Sequence, residues 1–206
     1  MKLILASSSP RRIELLRQVG FDPEVKKPDV DEAIRRGETP KAMVARLALE
    51  KAQAIVSAWA ADPRELTLVI AADTTVVAPN GKTILGKPET AKDAARMLKL
   101  LSGHIHIVHT GYCILGIQPG KPSRRKVRVV TSKVKMRKLS PKMIAAYIRT
   151  GEPMDKAGSY GAQGIGMGLI ERLNGSYTNV VGLPMAQLLM DLETTFGVSS
   201  FDHGPA

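Results

Sequence analysis

The chain has 206 residues, of which 44% are apolar and 24% charged, so it can bury a full core and is not disordered by composition. Its formal net charge of +11 favours an anionic partner, such as a nucleotide or a nucleic acid. The single cysteine excludes an internal disulfide, no apolar run could span a membrane, and the apolar run after Met1 is too short for a signal peptide. We therefore expect a cytoplasmic protein without membrane association.

The first 20 residues combine an apolar run with a helix start. Lys2–Ala6 predicts a buried strand, Ser9 suits an N-cap, and Pro10 suits the first helical position, where no N–H is needed. A helix start offers unpaired N–H groups and a positive dipole end. Five nearby side chains add donors for phosphate oxygens: Ser7, Ser8, Ser9, Arg11 and Arg12. The turn predicts a phosphate site, and a capped surface helix with solvated arginines is the alternative.

A short strand, an acidic loop and a long helix follow. We expect the strand over residues 22–27, the loop over 28–33, and a helix from Thr39-Pro40 to about Trp59. Three carboxylates lie in the loop: Asp29, Asp31 and Glu32. Lys51 falls within the helix, where a lysine is usually solvated.

The next apolar segment contains one carboxylate. Residues 66–77 predict a strand buried on both faces, interrupted by Asp73. Because an unpaired buried carboxylate is costly, we expect Asp73 at a strand end, facing a cleft and paired with a cation or a metal. Pro79-Asn-Gly81 predicts a hairpin turn, after which residues 82–85 form the second strand and Lys87 lies beside the aspartate's end of the sheet.

The second half of the chain predicts two helices and a pair of strands. Residues 91–101 and 141–150 have helical signals, the second after Ser140-Pro141. Residues 104–115 and 126–139 predict strands, joined by a Pro/Gly/Lys stretch at 117–124.

A glycine-rich loop at 151–166 then leads to a strand at 167–173, a turn at 174–175 and a last helix from about 182 to 196. We expect one catalytic domain of two lobes around a cleft over residues 1–198, followed by a loose tail at 199–206.

The predicted strands suggest two further binding functions, a zinc site and a nucleic-acid surface. His104 and His106 would share a strand face and could hold zinc, but no third soft ligand follows at a usual spacing. A basic face could follow a nucleic-acid backbone: Lys126, Arg128, Lys133, Lys135 and Arg137. Such faces are usually solvated, and the chain has few aromatic residues for base stacking.

The residue types together predict a nucleotide hydrolase. Carboxylates beside lysines and arginines suit a triphosphate with a hard divalent ion, because Mg²⁺ takes oxygen ligands and the cations offset the remaining phosphate charge. No Cys, His or Ser spacing predicts a catalytic triad, which favours attack of water on phosphorus over a covalent nucleophile.

Successive motifs of the chain resemble those of the Maf family, in the family's order, from about residue 2 to 197. They are Ala6–Arg12, Leu49–Ala52, Ala72–Thr74, Gly86–Pro88, Leu101–Gly103, Gly151–Pro153, Asp155–Gly164 and Asn179–Pro184. The resemblance implies a house-cleaning nucleoside triphosphate pyrophosphatase that uses Mg²⁺ or Mn²⁺ and yields a monophosphate and pyrophosphate. It also implies an α/β fold, an elongated mixed sheet bent around a central cleft and flanked by helices as in inosine-triphosphatase-like enzymes, commonly in a homodimer.

The resemblance assigns roles to individual residues. Residues 155–164 are similar to the branch that acts on dTTP, UTP and modified pyrimidine nucleotides. The implied phosphate ligands are Ser7, Ser9, Arg11 and Arg12. Glu32 and Asp73 would bind metal, with Asp73 also activating water; Asp31 or Asp29 could replace Glu32. Lys51 and Lys87 would stabilise phosphate charge, and Thr74 and Gln163 would read the base. The open alternatives are a pyrophosphatase for 7-methyl-GTP or another modified purine, and a non-enzymatic regulator of cell division or nucleic-acid binder.

Overall fold

A mixed sheet of seven strands organises the residues that the computed structural model describes, which are 1–58, 65–118 and 120–200. In chain order the strands are β1 (Lys2–Ala6), β2 (Glu24–Lys26), β3 (Thr67–Val77), β4 (Ile84–Leu85), β5 (Ile105–Gln118), β6 (Lys121–Met136) and β7 (Ile170–Asn174). Their order in the sheet is β2-β1-β3-β5-β6-β7, and β4 pairs with β3. β1 is parallel to β2 and β3, whereas β4 and β7 pair antiparallel with β3 and β6. The predicted α/β class with a mixed sheet is confirmed.

The described residues form six α-helices. They are α1 (Pro10–Gln18), α2 (Pro40–Ala58), α3 (Ala91–Leu101), α4 (Pro141–Arg149), α5 (Tyr177–Val181) and α6 (Met185–Asp191). The N-cap hydroxyls of Thr90 and Ser140 accept hydrogen bonds from backbone N–H groups in the first turns of α3 and α4. Within the described ranges, no helix has the length and apolar character needed to cross a membrane.

The chain divides into two compact units, each with its own core. The first comprises Met1–Asp73, Thr110–Val129 and Gly182–Ala206, and the second comprises Thr74–His109 and Val130–Val181. In the first unit, α2 packs on the sheet through a cluster that includes Ile4, Ala48, Ala52, Val69 and Cys113. In the second unit, the core includes Val76, Leu98, Val134, Met136 and Tyr147. The expected arrangement of lobes around a cleft stays a prediction.

Three predictions about the second half were wrong in their boundaries. The stretch 117–124 belongs largely to strands, because β5 reaches Gln118 and β6 begins at Lys121. Pairing of two long strands satisfies the backbone there and overrides the loop-like composition. Residues 164–169 form 3₁₀ turns, so β7 begins only at Ile170.

The end of the chain also departs from the prediction. The expected last helix is split into α6 and a π-helical turn over Leu192–Phe196, and α5 precedes it unpredicted. Ser200, expected in a loose tail, is buried, while residues 201–206 lie outside the described residues.

Candidate active site

Lys51 is enclosed in the first unit between two carboxylates. Its Nζ lies 2.7 Å from Asp73 Oδ1 and 2.6 Å from Glu32 Oε1, and the residue is 7% exposed. Lys51 is not solvated as most helix lysines are, and the reason is helix geometry. Lys51 lies four residues after Leu47 and four before Ile55, on the face of α2 that the core buries. The ammonium is therefore held where its charge is balanced by both carboxylates.

Asp73 lies within β3 and not at its end, which corrects the prediction, although its pairing with a cation is as expected. The register explains how a carboxylate fits there. β1 pairs with β3 only as far as Ala6 opposite Ala71, and β4 joins β3 only from Val76. Asp73 thus follows the point where its parallel neighbour ends. The carboxyl ends of parallel strands are a common place for ligand sites in α/β proteins.

The turn after β1 begins at this same level of the sheet. Ser7 is buried, and its Oγ accepts hydrogen bonds from the backbone N–H of Ser9 and from Arg12 Nη1, both at 3.2 Å. Arg12 Nε donates to the carbonyl oxygen of Gly182 at 2.8 Å. Ser9 occupies the N-cap position of α1, but its hydroxyl makes no capping hydrogen bond. The turn is thus preorganised by Ser7 and Arg12.

The charges around Arg12 show that the turn and the carboxylates share one electrostatic environment. Burial lowers the pKa of Arg12, and the neighbouring charge of Arg11 lowers it further, whereas the negative charges of Asp73 and Glu32 raise it. Arginine is not deprotonated in proteins, so Arg12 carries its positive charge at neutral pH. Two arginines, one lysine and two carboxylates therefore act on one another within the first unit.

Arg46 of α2 anchors the acidic loop and the residues that follow it. Arg46 donates to both carboxylate oxygens of Glu38, at 2.6 and 2.7 Å, and to the carbonyl oxygen of Ala33 at 3.1 Å. These hydrogen bonds lower the pKa of Glu38 from 4.5 to about 2. Sequence reasoning missed this anchor, whose local signal was the i, i+4 pair of Arg46 with Glu50.

Of the three carboxylates in the loop, Glu32 reaches Lys51. Asp31 Oδ1 instead accepts a hydrogen bond at 2.9 Å from the N–H of Ala33 and so shapes the loop itself. Asp29 is exposed. The geometry favours Glu32 over its neighbours as the partner of Asp73.

Glu32 and Asp73 fit the donor chemistry of a hard divalent cation. Among residues 1–58, 65–118 and 120–200, no cluster of three or more His, Cys, Asp or Glu residues could hold a metal ion. Mg²⁺, however, is often bound by one or two carboxylates, with substrate phosphates and waters completing its shell. His106, considered for zinc, lies with Nε2 at 2.7 Å from Tyr160 Oη and is buried.

The remaining predicted site residues belong to the second unit. Thr74 is half-buried in β3, Lys87 is exposed two residues after β4, and Gln163 is half-buried immediately before the 3₁₀ turns at 164–169. In the first unit, by contrast, Ser7 contacts Arg12, and Lys51 contacts both Glu32 and Asp73. The substrate contacts of these three stay predictions.

Four members of the basic strand face make internal contacts. Arg128 donates to both oxygens of the buried Asp191, at 2.9 and 2.6 Å, and Lys126 Nζ lies 3.6 Å from the same carboxylate. Lys135 and Arg137 donate to backbone carbonyls at 2.8 and 2.7 Å. These contacts give the basic residues a structural role that needs no nucleic acid.

Comparisons with known proteins place this geometry in context. A family model described as Maf-like protein matches residues 2–195. The chain is 46% identical over 186 residues to a dTTP/UTP pyrophosphatase of Rhizobium meliloti (strain 1021), covering 89% of this chain and 87% of that one. It is 45% identical over 201 residues to a dTTP/UTP pyrophosphatase of Acetivibrio thermocellus, covering 97% of each. Among solved structures, the Staphylococcus aureus Ham1 protein is 17% identical, with a TM-score of 0.40 over 98% of this chain and 93% of that one.

Proposed function

Because the chain belongs to the Maf family, we propose that it hydrolyses dTTP, UTP and modified pyrimidine nucleoside triphosphates to monophosphates and pyrophosphate. Relatives named dTTP/UTP pyrophosphatase, 46% and 45% identical over most of the chain, support this reaction and substrate class. One structural observation carries the proposal. A buried lysine joins two carboxylates next to a turn of hydroxyl and guanidinium donors, which is the chemistry that a triphosphate and a divalent cation require.

The turn after β1 would hold the phosphates. Ser7 and Arg12 are already linked by a hydrogen bond, so a phosphate oxygen meets donors that lose little conformational freedom on binding. Arg11, Ser9 and the N-terminus of α1 add donors and positive charge.

Asp73 would act as the general base. It accepts a proton from water as the water oxygen bonds to the α-phosphorus, and the bond from that phosphorus to the bridging oxygen breaks. Pyrophosphate leaves with the bonding electron pair. Lys51, fixed between Asp73 and Glu32, offsets the charge that develops on the phosphates.

Glu32 and Asp73 would also hold Mg²⁺ or Mn²⁺. The metal, when bound, would lower the pKa of water and polarise the α-phosphate. Lys87 would stabilise the leaving pyrophosphate, and Thr74 and Gln163 would contact the base. The family resemblance also supports a cytoplasmic homodimer, and light scattering in solution tests the dimer.

The function is tested by pyrophosphate release from a panel of nucleotides with Mg²⁺ or Mn²⁺. We expect release from UTP and dTTP, lowered by about 100-fold or more in Asp73→Asn because the general base is lost. Asp22→Asn is a matched control, since the side chain of Asp22 is 83% exposed and pairs with Arg17 at the surface. Full activity in Asp73→Asn would refute the assignment of the base. Turnover confined to 7-methyl-GTP would show that the substrate is a modified purine nucleotide. No turnover at all would favour a non-enzymatic binder.

A further inference from the structure

Glu152, in the second unit, is a hydrogen-bonding centre for the glycine-rich loop. Its Oε1 accepts hydrogen bonds from Tyr147 Oη and from the backbone N–H of Gly166, both at 2.8 Å. Its Oε2 accepts one from the backbone N–H of Ile165, also at 2.8 Å. Both carboxylate oxygens are thus engaged by donors that lie 5 to 14 residues away along the chain.

Tyr147 extends these contacts to the other side of Gln163. Its Oη, which donates to Glu152, also accepts a hydrogen bond at 3.0 Å from the backbone N–H of Gly161. Gly161 precedes Gln163 by two residues and Ile165 follows it by two. Tyr147 and Glu152, together called the clamp, therefore hold the backbone on both sides of Gln163.

Two glycines of the loop pack so closely against the clamp that neither could carry a side chain. A Cβ placed on Gly164 would lie 2.7 Å from Glu152 Oε2, and one on Gly166 would lie 2.6 Å from Tyr147 Oη. Both distances are too short for a side chain. The glycines let the backbone approach the clamp closely enough to make the hydrogen bonds.

The clamp combines a buried tyrosine with a charged carboxylate. Tyr147 is 4% exposed and belongs to the core of its unit. Burial raises the pKa of Glu152, but hydrogen bonds from Gly166, Tyr147 and Ile165 and the charge of Lys156 outweigh it and leave that pKa below its ordinary value. Glu152 is therefore ionised at neutral pH and can accept from three donors at once.

We propose that Tyr147 and Glu152 are positioning residues that make the site selective for uracil and thymine over cytosine, by fixing the backbone around Gln163. The proposal rests on the proposed function, in which Gln163 reads the base. Uracil and thymine present an acceptor at O4 and a donor at N3, whereas cytosine presents the reverse pattern. A glutamine amide can match either pattern by turning over, so discrimination requires that its placement be fixed.

The test compares UTP with CTP in Tyr147→Phe, which keeps the buried ring and removes only the hydroxyl. We expect KM for UTP to rise about tenfold with kcat within about twofold, and the UTP-to-CTP ratio of kcat/KM to fall about tenfold. Glu152→Gln is a second variant, because its NH₂ must face one of the three donors, and the same change in ratio is expected. Tyr112→Phe is the matched control: it removes a buried tyrosine hydroxyl that donates to Asp191 at 2.6 Å, and it should leave the ratio unchanged.

Amide hydrogen exchange supplies a readout that does not depend on turnover. In the wild type, the N–H groups of Gly161 and Ile165 should be protected, and Tyr147→Phe should speed the exchange of Gly161 by about tenfold or more. Fast exchange of both amides in the wild type would overturn the clamp.

The kinetic outcomes separate the clamp from a merely structural role. Equal losses with UTP and CTP in Tyr147→Phe and Glu152→Gln, at an unchanged ratio, would overturn the proposal. A wild-type protein that releases no pyrophosphate from any nucleotide would instead overturn the proposed function, and this result is visible before any variant is compared.

Discussion

Glu38→Gln removes the charge from the carboxylate that pairs with Arg46 of α2 while keeping the shape of the side chain. Glu38 and Arg46 have side chains only 9% and 13% exposed, so solvent screens their pairing less than that of a surface ion pair. The fall in the pKa of Glu38 from 4.5 to about 2 corresponds to roughly 3 kcal/mol of stabilisation. Allowing for the remaining solvent contact, we expect Glu38→Gln to lower the free energy of unfolding by about 2 kcal/mol at pH 7.

The pH dependence follows from the direction of the pKa change. Because the pKa is lower in the folded protein, the stabilisation is fully present above pH 4.5 and is lost as the pH falls towards 2. The difference between wild type and Glu38→Gln should therefore shrink to about half at pH 3.

Urea unfolding of both proteins at pH 7, 5 and 3 measures this difference. Asp22→Asn is the control, because its exposed pair with Arg17 should contribute less than about 0.5 kcal/mol at any of these pH values. A difference for Glu38→Gln that is the same at pH 7 and pH 3 would show that the charge of Glu38 does not stabilise the fold, and would refute the reasoning.

Two further predictions concern α2 and its surroundings. In Lys51→Met the carboxylates of Glu32 and Asp73 lose their shared ammonium, so Mg²⁺ should raise Tm by about 3 °C more than in the wild type, and an equal Mg²⁺ effect in both proteins would contradict a metal site there. In Gly111→Ala the new Cβ would collide with the backbone of α2 at Val44, which should lower the free energy of unfolding by about 3 kcal/mol in urea. Gly168→Ala, with nothing within 4 Å of its Cβ, should change it by less than about 1 kcal/mol, and similar losses in both alanine variants would contradict the packing argument.

Elements with local start signals could be predicted from the sequence. A threonine or serine followed by proline, at Thr39-Pro40 and Ser140-Pro141, predicts the bounds of α2 and α4 to within a residue or two. Capping and the fixed φ of proline act at short range, so the local sequence is enough. The stretch 117–124 could not be predicted, because the pairing of β5 with β6 decides its structure and composition does not.

The candidate site was predicted as a set of residue types but not as a set of contacts. Asp73 was expected to need a cation, and the identity of that cation, Lys51, depends on a partner 22 residues away. The clamp was missed for the same reason. Glu152 and Tyr147 carry no local signal for their roles, since the groups they bind are backbone N–H groups brought close only by the fold.

The division of the chain has a consequence for building hybrids between relatives. The chain passes between the two units four times, after Asp73, His109, Val129 and Val181, so neither unit is a continuous segment. Three of these junctions fall inside β3, β5 and β6. Exchanging the second unit, with Gln163 and its clamp, therefore requires two insertions whose strand ends keep the register of the recipient. A single crossover between family members therefore cannot transfer one whole unit while leaving the other intact.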